Sequence, residues 1–245
     1  MELFDRLLQD PTLQGQVRAT QTQLTFLLEY ADKTRPLLHM CLGMQMPHIA
    51  TWLLENGADP NVKNAEGCNA LFYILRPSYI PVARLLVAKG ADVHCQSTTG
   101  HTPLSYAVMT RCHELVDFMA EIVLSARPVP PFAIGPIRHA IVCNDADIVY
   151  TLMRHGYPVN ALSKDLVMPL LLAITYSRFL MVHSMLTMGA DPLAPSAVGS
   201  TSLHHACSLS TEPAMLALLL KHSAHVNPLD DEHNTPLHCL CMSMF

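Results

Sequence analysis

The sequence lacks the features of several protein classes. Charged residues make up only 14% of its 245 residues, and 15 Lys and Arg are outnumbered by 20 Asp and Glu, which gives a formal net charge of -5. This balance argues against a direct nucleic-acid partner, because such proteins carry a basic surface. The low charge, combined with 50% hydrophobic residues, also excludes a disordered chain. We therefore expect an apolar-rich packed array.

The sequence also lacks the features of a secreted protein. The eight cysteines contain no C-x-x-C pair, no N-x-S/T sequon occurs, and the first residues lack the positive charge of a signal peptide. We therefore expect a reduced, intracellular chain in the cytoplasm, the nucleus or both. The apolar stretch 166–190 is long enough for a bilayer span, but it contains Pro169, Arg178 and His183 and divides into two amphipathic halves. We expect no membrane partner.

An internal repeat organises the chain. We take one reference residue in each repeat and call it the mark of that repeat. Consecutive marks are 33 residues apart, as from Asn69 to Thr102, and 34 apart only from Thr201 to Thr235. An apolar residue stands two positions after every mark, and a small or apolar residue stands five positions after it. The marks are Pro36, Asn69, Thr102, Gly135, Met168, Thr201 and Thr235, and their second-position followers are Leu38, Leu71, Leu104, Ile137, Leu170, Leu203 and Leu237.

Each unit repeats the same order of helix signals. A proline directly after the mark, as at Pro103, suits the first turn of a short helix. The backbone N–H group that proline lacks would have no hydrogen-bond partner within the helix at that position. A second apolar run with helical spacing follows, as in residues 215–220. Glycine then predicts the end of that helix, and turn residues lead on to a loop or hairpin. These glycines are Gly57, Gly90, Gly156 and Gly189.

The units resemble ankyrin repeats, most clearly at residues 53–61, 100–104, 201–206 and 235–238. The resemblance covers residues 34–245 and implies an all-α ankyrin-repeat solenoid of helix-turn-helix units with short β-hairpin or loop fingers. The last repeat is incomplete, and the third has an unusual proline-rich finger at 125–131. Residues 1–33 do not fit the register; they predict an N-terminal helical cap or the remnant of an upstream segment.

Metal binding and catalysis are poorly supported. The histidines and cysteines near the C-terminus, such as His204, Cys207 and Cys239, lack the closed spacing of a zinc site. The resemblance instead gives His39, His204 and His238 a structural role, in which the imidazole hydrogen-bonds to the backbone of the neighbouring loop. No nucleophile elbow, phosphate-binding glycine loop or paired-carboxylate motif occurs. We predict a protein that is not an enzyme and takes no cofactor or metal.

The resemblance also implies where a protein partner binds. Ankyrin proteins bind partners through their finger loops and the inner face of their first helices. The residues involved occupy fixed positions of the repeat, or slots, just before the mark and seven or eight residues after it. An alternative is that some of these side chains only pack the proline-rich finger. The candidate partner-binding residues in these slots are Arg35, Met44, Arg76, His101, Met109, Phe132, Ile134, Val167 and Tyr176.

These observations predict a non-catalytic scaffold or adaptor that binds a protein partner on its concave face. Three alternatives remain open: a transcriptional coregulator, a substrate-receptor subunit of a ubiquitin ligase, and a repeat-containing regulator of an enzyme. A fragment of a longer ankyrin protein would explain both chain ends. We also expect self-association through the incomplete C-terminal repeat, where Met242, Met244 and Phe245 have no following helix to cover them.

Overall fold

The computed structural model of the chain describes residues 36–126, 135–160, 168–209, 211–222 and 225–243. Within these ranges the backbone forms helices and turns but no strand, so the fingers are loops there rather than hairpins of paired strands. The chain divides into two compact units between Leu115 and Val116. None of the helices described is long and apolar enough to cross a bilayer, and the stretch at 166–190 contains two separate short helices.

The N-terminal unit contains the first two helix pairs and the beginning of the third. In chain order the elements are α1 (Leu37–Gly43), α2 (Pro47–Glu55), 3-10 helices at Ala70–Tyr73 and Pro77–Tyr79, α3 (Ile80–Ala88), α4 (Pro103–Met109) and α5 (His113–Ala126), which continues across the boundary. Helix α1 packs on α2, α2 packs on α3, and the 3-10 helix Ala70–Tyr73 lies against α1, α3 and α4.

The C-terminal unit continues the alternation of first and second helices. Its helices are α6 (Gly135–Val142), α7 (Ala146–Arg154), α8 (Pro169–Thr175), α9 (Phe179–Thr187), α10 (Ser202–Ser208), α11 (Pro213–His222) and α12 (Pro236–Ser243). The first helices α6, α8, α10 and α12 contact one another in sequence, and so do the second helices α7, α9 and α11.

The predicted helix ends are confirmed. Helices α4, α8 and α12 begin at the proline after the mark, where the rigid ring suits the first turn. At α4, Thr102 and Ser105 form a reciprocal capping box that satisfies backbone N–H groups left over by the helix start. Second helices end with a left-handed glycine, with φ between 86° and 93° at Gly57, Gly90, Gly156 and Gly189.

The buried residues follow the repeat register. The apolar residue two positions after the mark is at most 5% exposed in the first six repeats. Five positions after the mark, Ala140, Ala173 and Ala206 are fully buried, because only a small side chain lets neighbouring first helices approach closely. The periodic pattern therefore identifies the core of both units.

The second repeat departs from the predicted pattern. Its first helix is a four-residue 3-10 turn, Ala70–Tyr73, and not an α-helix. Pro77 explains the difference, since the ring of a proline disfavours helical backbone in the residue before it. Arg76 is accordingly extended, with φ -144° and ψ 149°, and Asn69 caps the short turn by accepting a hydrogen bond from the N–H of Leu71 at 3.2 Å.

The turn between the two helices of a repeat contains a left-handed residue that is not glycine. It stands nine positions after the mark in the first, third, fourth and fifth repeats. In each case its φ lies between 53° and 63°, a region that residues with a Cβ atom rarely adopt. These residues are Gln45, Arg111, Asn144 and Ser177.

Side-chain amides link neighbouring repeats at the start of the fingers. Asn61 donates a hydrogen bond to the carbonyl of Gly90 at 2.8 Å and accepts one from the N–H of Asp92 at 2.7 Å. In the C-terminal unit, Asn160 makes the same two bonds with Gly189 and Asp191. These links satisfy backbone groups that a helix end would otherwise leave unpaired.

Candidate partner-binding surface

Four exposed apolar side chains lie at the ends of the first helices of the C-terminal unit, each in one of two adjacent slots. Val142 and Tyr176 are each 43% exposed, Leu209 is 46% exposed and Met242 is 59% exposed. Each stands seven or eight positions after its mark, at the end of a first helix or just beyond it. Because the four first helices contact one another in sequence, the helix ends that carry these side chains are adjacent, and we call the four residues the inner stripe.

Tyr176 is the aromatic member of the inner stripe. The guanidinium of Arg178 lies over its ring, 6.0 Å from the ring centroid, in a cation–π contact. Arg178 is half-buried, and its Nε atom is buried without a hydrogen-bond partner in the described structure. The contact restrains the ring while leaving it partly exposed, so little side-chain freedom would be lost on binding.

The predicted site residues of the N-terminal unit differ in exposure. Met109 is 50% exposed, whereas Met44 is half-buried. Arg76 is exposed and donates a hydrogen bond from Nη1 to Oε1 of Gln45 at 3.2 Å. His101 is half-buried, with its ring edge-on to Tyr106 at a centroid distance of 6.0 Å.

The other predicted site residues cannot be placed. Arg35, Phe132, Ile134 and Val167 lie outside the described residues, as does most of the proline-rich finger. Of the nine predicted positions, the structure therefore places five, four of them in the N-terminal unit and Tyr176 in the C-terminal unit.

The nine predicted site residues do not include Val142, Leu209 and Met242 of the inner stripe. Leu209 stands eight positions after Thr201, and Met242 stands seven positions after Thr235. The rule that selected Tyr176 in the fifth repeat selects both residues when it is applied to the sixth and seventh marks. The information was therefore present in the repeat register.

Two of the three repeated histidines have the structural role that the family resemblance implies. The third, His238, is exposed and hydrogen-bonds with Thr235 of its own repeat instead. His39 donates from Nε2 to the carbonyl of Cys68 at 2.9 Å, and His204 donates to the carbonyl of Asn234 at 3.0 Å. Burial lowers the pKa of His39 despite the raising effect of its bond to Cys68. A neutral imidazole that is hydrogen-bonded in this way connects one repeat to the next loop.

Two of the buried cysteines have thiols of low reactivity. All eight cysteines are free. Burial raises the pKa of the Cys41 thiol to about 12 and that of Cys68 to about 11. A thiol with such a pKa stays protonated near neutral pH and is a poor nucleophile and metal ligand.

A charged cluster that the sequence did not indicate joins α5 to α7 in the C-terminal unit. The carboxylate of Asp117 accepts hydrogen bonds from Arg154 and from Nε2 of His155, the latter at 2.7 Å. The hydrogen bond from His155 is the main cause that lowers the pKa of Asp117. About half of the Asp117 and Arg154 side chains is exposed, so the cluster is a surface contact and not a buried site.

Comparison with known proteins agrees with the repeat register. The family model for ankyrin repeats matches residues 24–127 in three copies. Its match begins before residue 34, where the sequence register starts. Residues 24–127 of the chain are ankyrin repeats. The predicted boundary at residue 33 remains a prediction.

Solved ankyrin structures share the fold. The ankyrin repeat domain of Bcl-3, described as a unique member of the IkappaB protein family, superposes with a TM-score of 0.69 at 22% identity, covering 85% of this chain and 95% of that domain. The human ASB11 ankyrin repeat domain gives a TM-score of 0.64 at 21% identity, covering 84% of this chain and 91% of that domain. At such identities the likeness concerns the fold alone.

Curated relatives are much longer than this chain. Ankyrin repeat protein nuc-2 of Neurospora crassa is 29% identical over 225 residues, which is 89% of this chain but 20% of that protein. The putative ankyrin repeat protein FPV014 of fowlpox virus is 27% identical over 105 residues, 42% of this chain and 24% of that protein. Ankyrin repeats generally mediate protein–protein interaction, and this is the level at which the family describes the present chain.

Proposed function

We propose that the chain is a non-catalytic adaptor that binds a protein partner on the inner stripe of its C-terminal unit. The observation that carries the proposal is the exposure of Val142, Tyr176, Leu209 and Met242 at the ends of four consecutive first helices or just beyond them. Groups of exposed apolar side chains are typical of interaction surfaces. Tyrosine and methionine are among the residues enriched at such surfaces.

The chemistry of the stripe specifies the kind of partner segment that it fits. Its side chains are apolar, and the guanidinium of Arg178 lies over the ring of Tyr176. A segment with apolar side chains at regular spacing would cover the stripe. An acceptor group on that segment would pair with the hydroxyl of Tyr176 or the guanidinium of Arg178.

Met109 and Arg76 of the N-terminal unit are proposed as further contacts, since both are exposed in the equivalent slots. We keep Arg35, Phe132, Ile134 and Val167 as proposed contacts on the family resemblance alone. A coregulator, a ligase substrate receptor and an enzyme regulator would all use the same surface. These roles therefore differ in the identity of the partner and not in the site.

Quantitative affinity capture from cells tests this function with matched variants. Tyr176→Ala removes the aromatic side chain of the inner stripe, and Tyr150→Ala removes an aromatic side chain that is 51% exposed on a second helix. We expect a partner that is retained by wild type and Tyr150→Ala but lost with Tyr176→Ala. The purified partner should then bind Tyr176→Ala with a dissociation constant about 30-fold higher, as for an interface anchor.

Both variants should melt at the wild-type temperature, because both side chains are largely exposed. Equal loss of partners with Tyr150→Ala would reject the inner stripe as the binding surface. Unchanged binding of every partner by a Tyr176→Ala and Leu209→Asp double variant would reject it as well.

A further inference from the structure

The seventh repeat shows which neighbour covers each position of a first helix. No second helix or later repeat lies beyond α12 in the described part of the chain. Pro236, one position after the mark, is nevertheless buried, whereas Leu237, the next residue, is 67% exposed. The preceding repeat therefore covers the first position after the mark, and elements that follow the first helix cover the second position.

The first repeat has the reverse pattern. Leu38, two positions after its mark, is 5% exposed, and here α2 and the second repeat follow. Leu37, one position after the mark, is only half-buried. The same position is buried in every later repeat, where it is occupied by Ala70, Pro103, Pro136, Pro169, Ser202 and Pro236. Among the described residues, the first repeat therefore lacks the neighbour that covers this position elsewhere.

An apolar groove lies at this uncovered side of the first repeat. It has a volume of about 200 Å³ and is lined by Leu37 together with residues of α2 and of the finger that follows α2. In that finger Ala58 is half-buried and Val62 is 39% exposed. The corresponding residues of the second repeat, Ala91 and Cys95, are only 8% and 2% exposed. A neighbour that fills the groove would bury apolar surface on both the first helix and the finger.

A segment of the same chain has the sequence of such a neighbour. Residues 26–29 read Phe-Leu-Leu-Glu, as residues 52–55 of α2 read Trp-Leu-Leu-Glu, and Ala-Asp follows shortly after both. Leu24, Leu27 and Leu28 have the spacing of one helix face. The match of the ankyrin family model also begins at residue 24. The segment 24–32, which lies outside the described residues, therefore resembles the second half of a repeat.

The short connection between this segment and the first repeat favours it over a separate molecule. Leu28 lies eight positions before Pro36, whereas Leu54 lies 15 positions before Asn69, the next mark. The segment thus leads into the first repeat without a full finger. A short connection holds the segment close to the groove at a high effective concentration. A separate molecule would lose translational and rotational freedom on binding, which the linked segment does not.

We propose that residues 24–32 pack into this groove as the second half of an additional N-terminal repeat. Leu27 and Leu28 cover Leu37 and Val62, and the segment takes the place beside α2 that α2 itself has beside α3. The repeat array accordingly begins at residue 24 rather than at residue 34, and the groove is a packing surface and not a ligand site. The proposal does not depend on the inner stripe, which belongs to the C-terminal unit.

Photo-crosslinking of the full chain tests the contact. The amino acid p-benzoylphenylalanine at position 28 should react, within the same molecule, with peptides that contain Leu37, Leu53 or Val62, as identified by mass spectrometry. The same amino acid at position 13, in place of Leu13, is the matched control and should not label these peptides. Position 27 replaces position 28 if that variant does not fold.

Three results of this experiment overturn the proposal. Labelling of the groove only in products of twice the chain mass would assign the groove to a second copy. Labelling from position 28 that misses the groove would place the segment elsewhere. Equal labelling of the groove from positions 13 and 28 would remove the assignment to residues 24–32.

A charge on the wall of the groove gives an independent test. Val62 and Leu75 of the N-terminal unit are 39% and 43% exposed, so exposure alone predicts that aspartate is tolerated equally at both positions. If the segment covers the groove, Val62→Asp should lower the urea midpoint by about 1 M, because a charge is then buried. Leu75→Asp should leave the midpoint unchanged. The fluorescence of Trp52, the one tryptophan of the chain, reports unfolding of this unit.

The segment itself provides the reciprocal variants. Leu28→Asp should lower the midpoint of Trp52 fluorescence as Val62→Asp does, whereas Leu13→Asp should not. The double variant of Leu28→Asp and Val62→Asp should lose less than the sum of the two single losses, because both changes disrupt one contact. Midpoints of Val62→Asp and Leu28→Asp equal to that of wild type overturn the proposal, and so does strict additivity of their losses.

Discussion

In the N-terminal unit the outward faces of α2 and α3 carry His48, Glu55 and Arg84, whereas the C-terminal unit presents Tyr150 and Leu180 on the corresponding helices. The buried slots of the two units are nearly the same. Packing between repeats fixes those slots, because each lies between two helices that tolerate little change in volume. The outward slots face solvent in both units, so they can become charged in one and apolar in the other without a change of fold.

The largest expected effect comes from placing a charge in the core of one unit only. Ala140 on α6 is fully buried, and Ala140→Asp introduces an unpaired carboxylate there. We expect a loss of about 3–5 kcal/mol in the free energy of unfolding. Because each repeat contacts only its neighbours, the loss should be concentrated in the C-terminal unit. Limited proteolysis should then release an N-terminal fragment.

The control is Val142→Asp, on the same helix but 43% exposed, which should remain resistant to protease. A single unchanged melting transition for Ala140→Asp would contradict both the repeat register and the separation into two units.

A smaller loss is expected from truncation in the N-terminal unit. Leu86 on α3 is fully buried, whereas its neighbour Leu85 is half-buried. Leu86→Ala should lower the free energy of unfolding by about 3 kcal/mol, because it leaves a cavity as well as removing apolar contacts. Leu85→Ala should lower it by less. Urea denaturation of both variants measures the difference, and equal losses would mean that burial does not distinguish the two positions.

The pH dependence of stability should include both units. The pKa of His39 is lowered from 6.5 chiefly by burial, and that of His205 is lowered by burial and by His204. The unfolded chain therefore binds protons in a range where the folded chain does not. Stability should fall as the pH drops through 6.5 toward the folded values.

Melting temperatures between pH 8 and pH 5, roughly the range in which histidine titrates, measure this effect. His39→Gln should flatten the pH dependence, and hydrogen exchange should show the flattening in the N-terminal unit. A slope identical to that of wild type would show that His39 takes up no proton on unfolding.

The smallest effect is expected at the charged cluster of the C-terminal unit. Asp117 and Arg154 are about half exposed, so solvent screens their interaction. Asp117→Asn should change the free energy of unfolding by less than about 1 kcal/mol. A double-mutant cycle with Arg154→Gln isolates the pair. A coupling several times larger would mean that the cluster holds α5 against α7 more firmly than its exposure indicates.

The sequence was sufficient to predict the repeat, the helix ends and the buried slots. A residue such as Leu104 is buried because of its position in the unit, and position can be counted. The shortened helix of the second repeat was also within reach of sequence reasoning. Pro77 is visible in the sequence, and its effect on Arg76 follows from the geometry of its ring.

Other features depended on the structure. The cluster of Asp117 with Arg154 joins residues 37 positions apart, and no motif relates them. The exposure of some side chains on the second helices was hidden by the composition of those helices. A helix such as α11 is apolar on most sides, so periodicity alone does not reveal that Leu219 is buried while Leu220 is exposed. Only the positions of the neighbouring helices distinguish the two residues.

The left-handed turn residues have a consequence for how such repeats evolve. Ankyrin turns need a positive φ, and glycine adopts it without strain, yet this chain uses Gln45, Arg111 and Ser177. Each of these residues adds a side chain next to the slots of a potential contact surface, as when Gln45 accepts a hydrogen bond from Arg76. The strained backbone thus becomes a variable position. Lineages that descend from such a chain could exchange partners by substituting these turn residues while the helices remain unaltered.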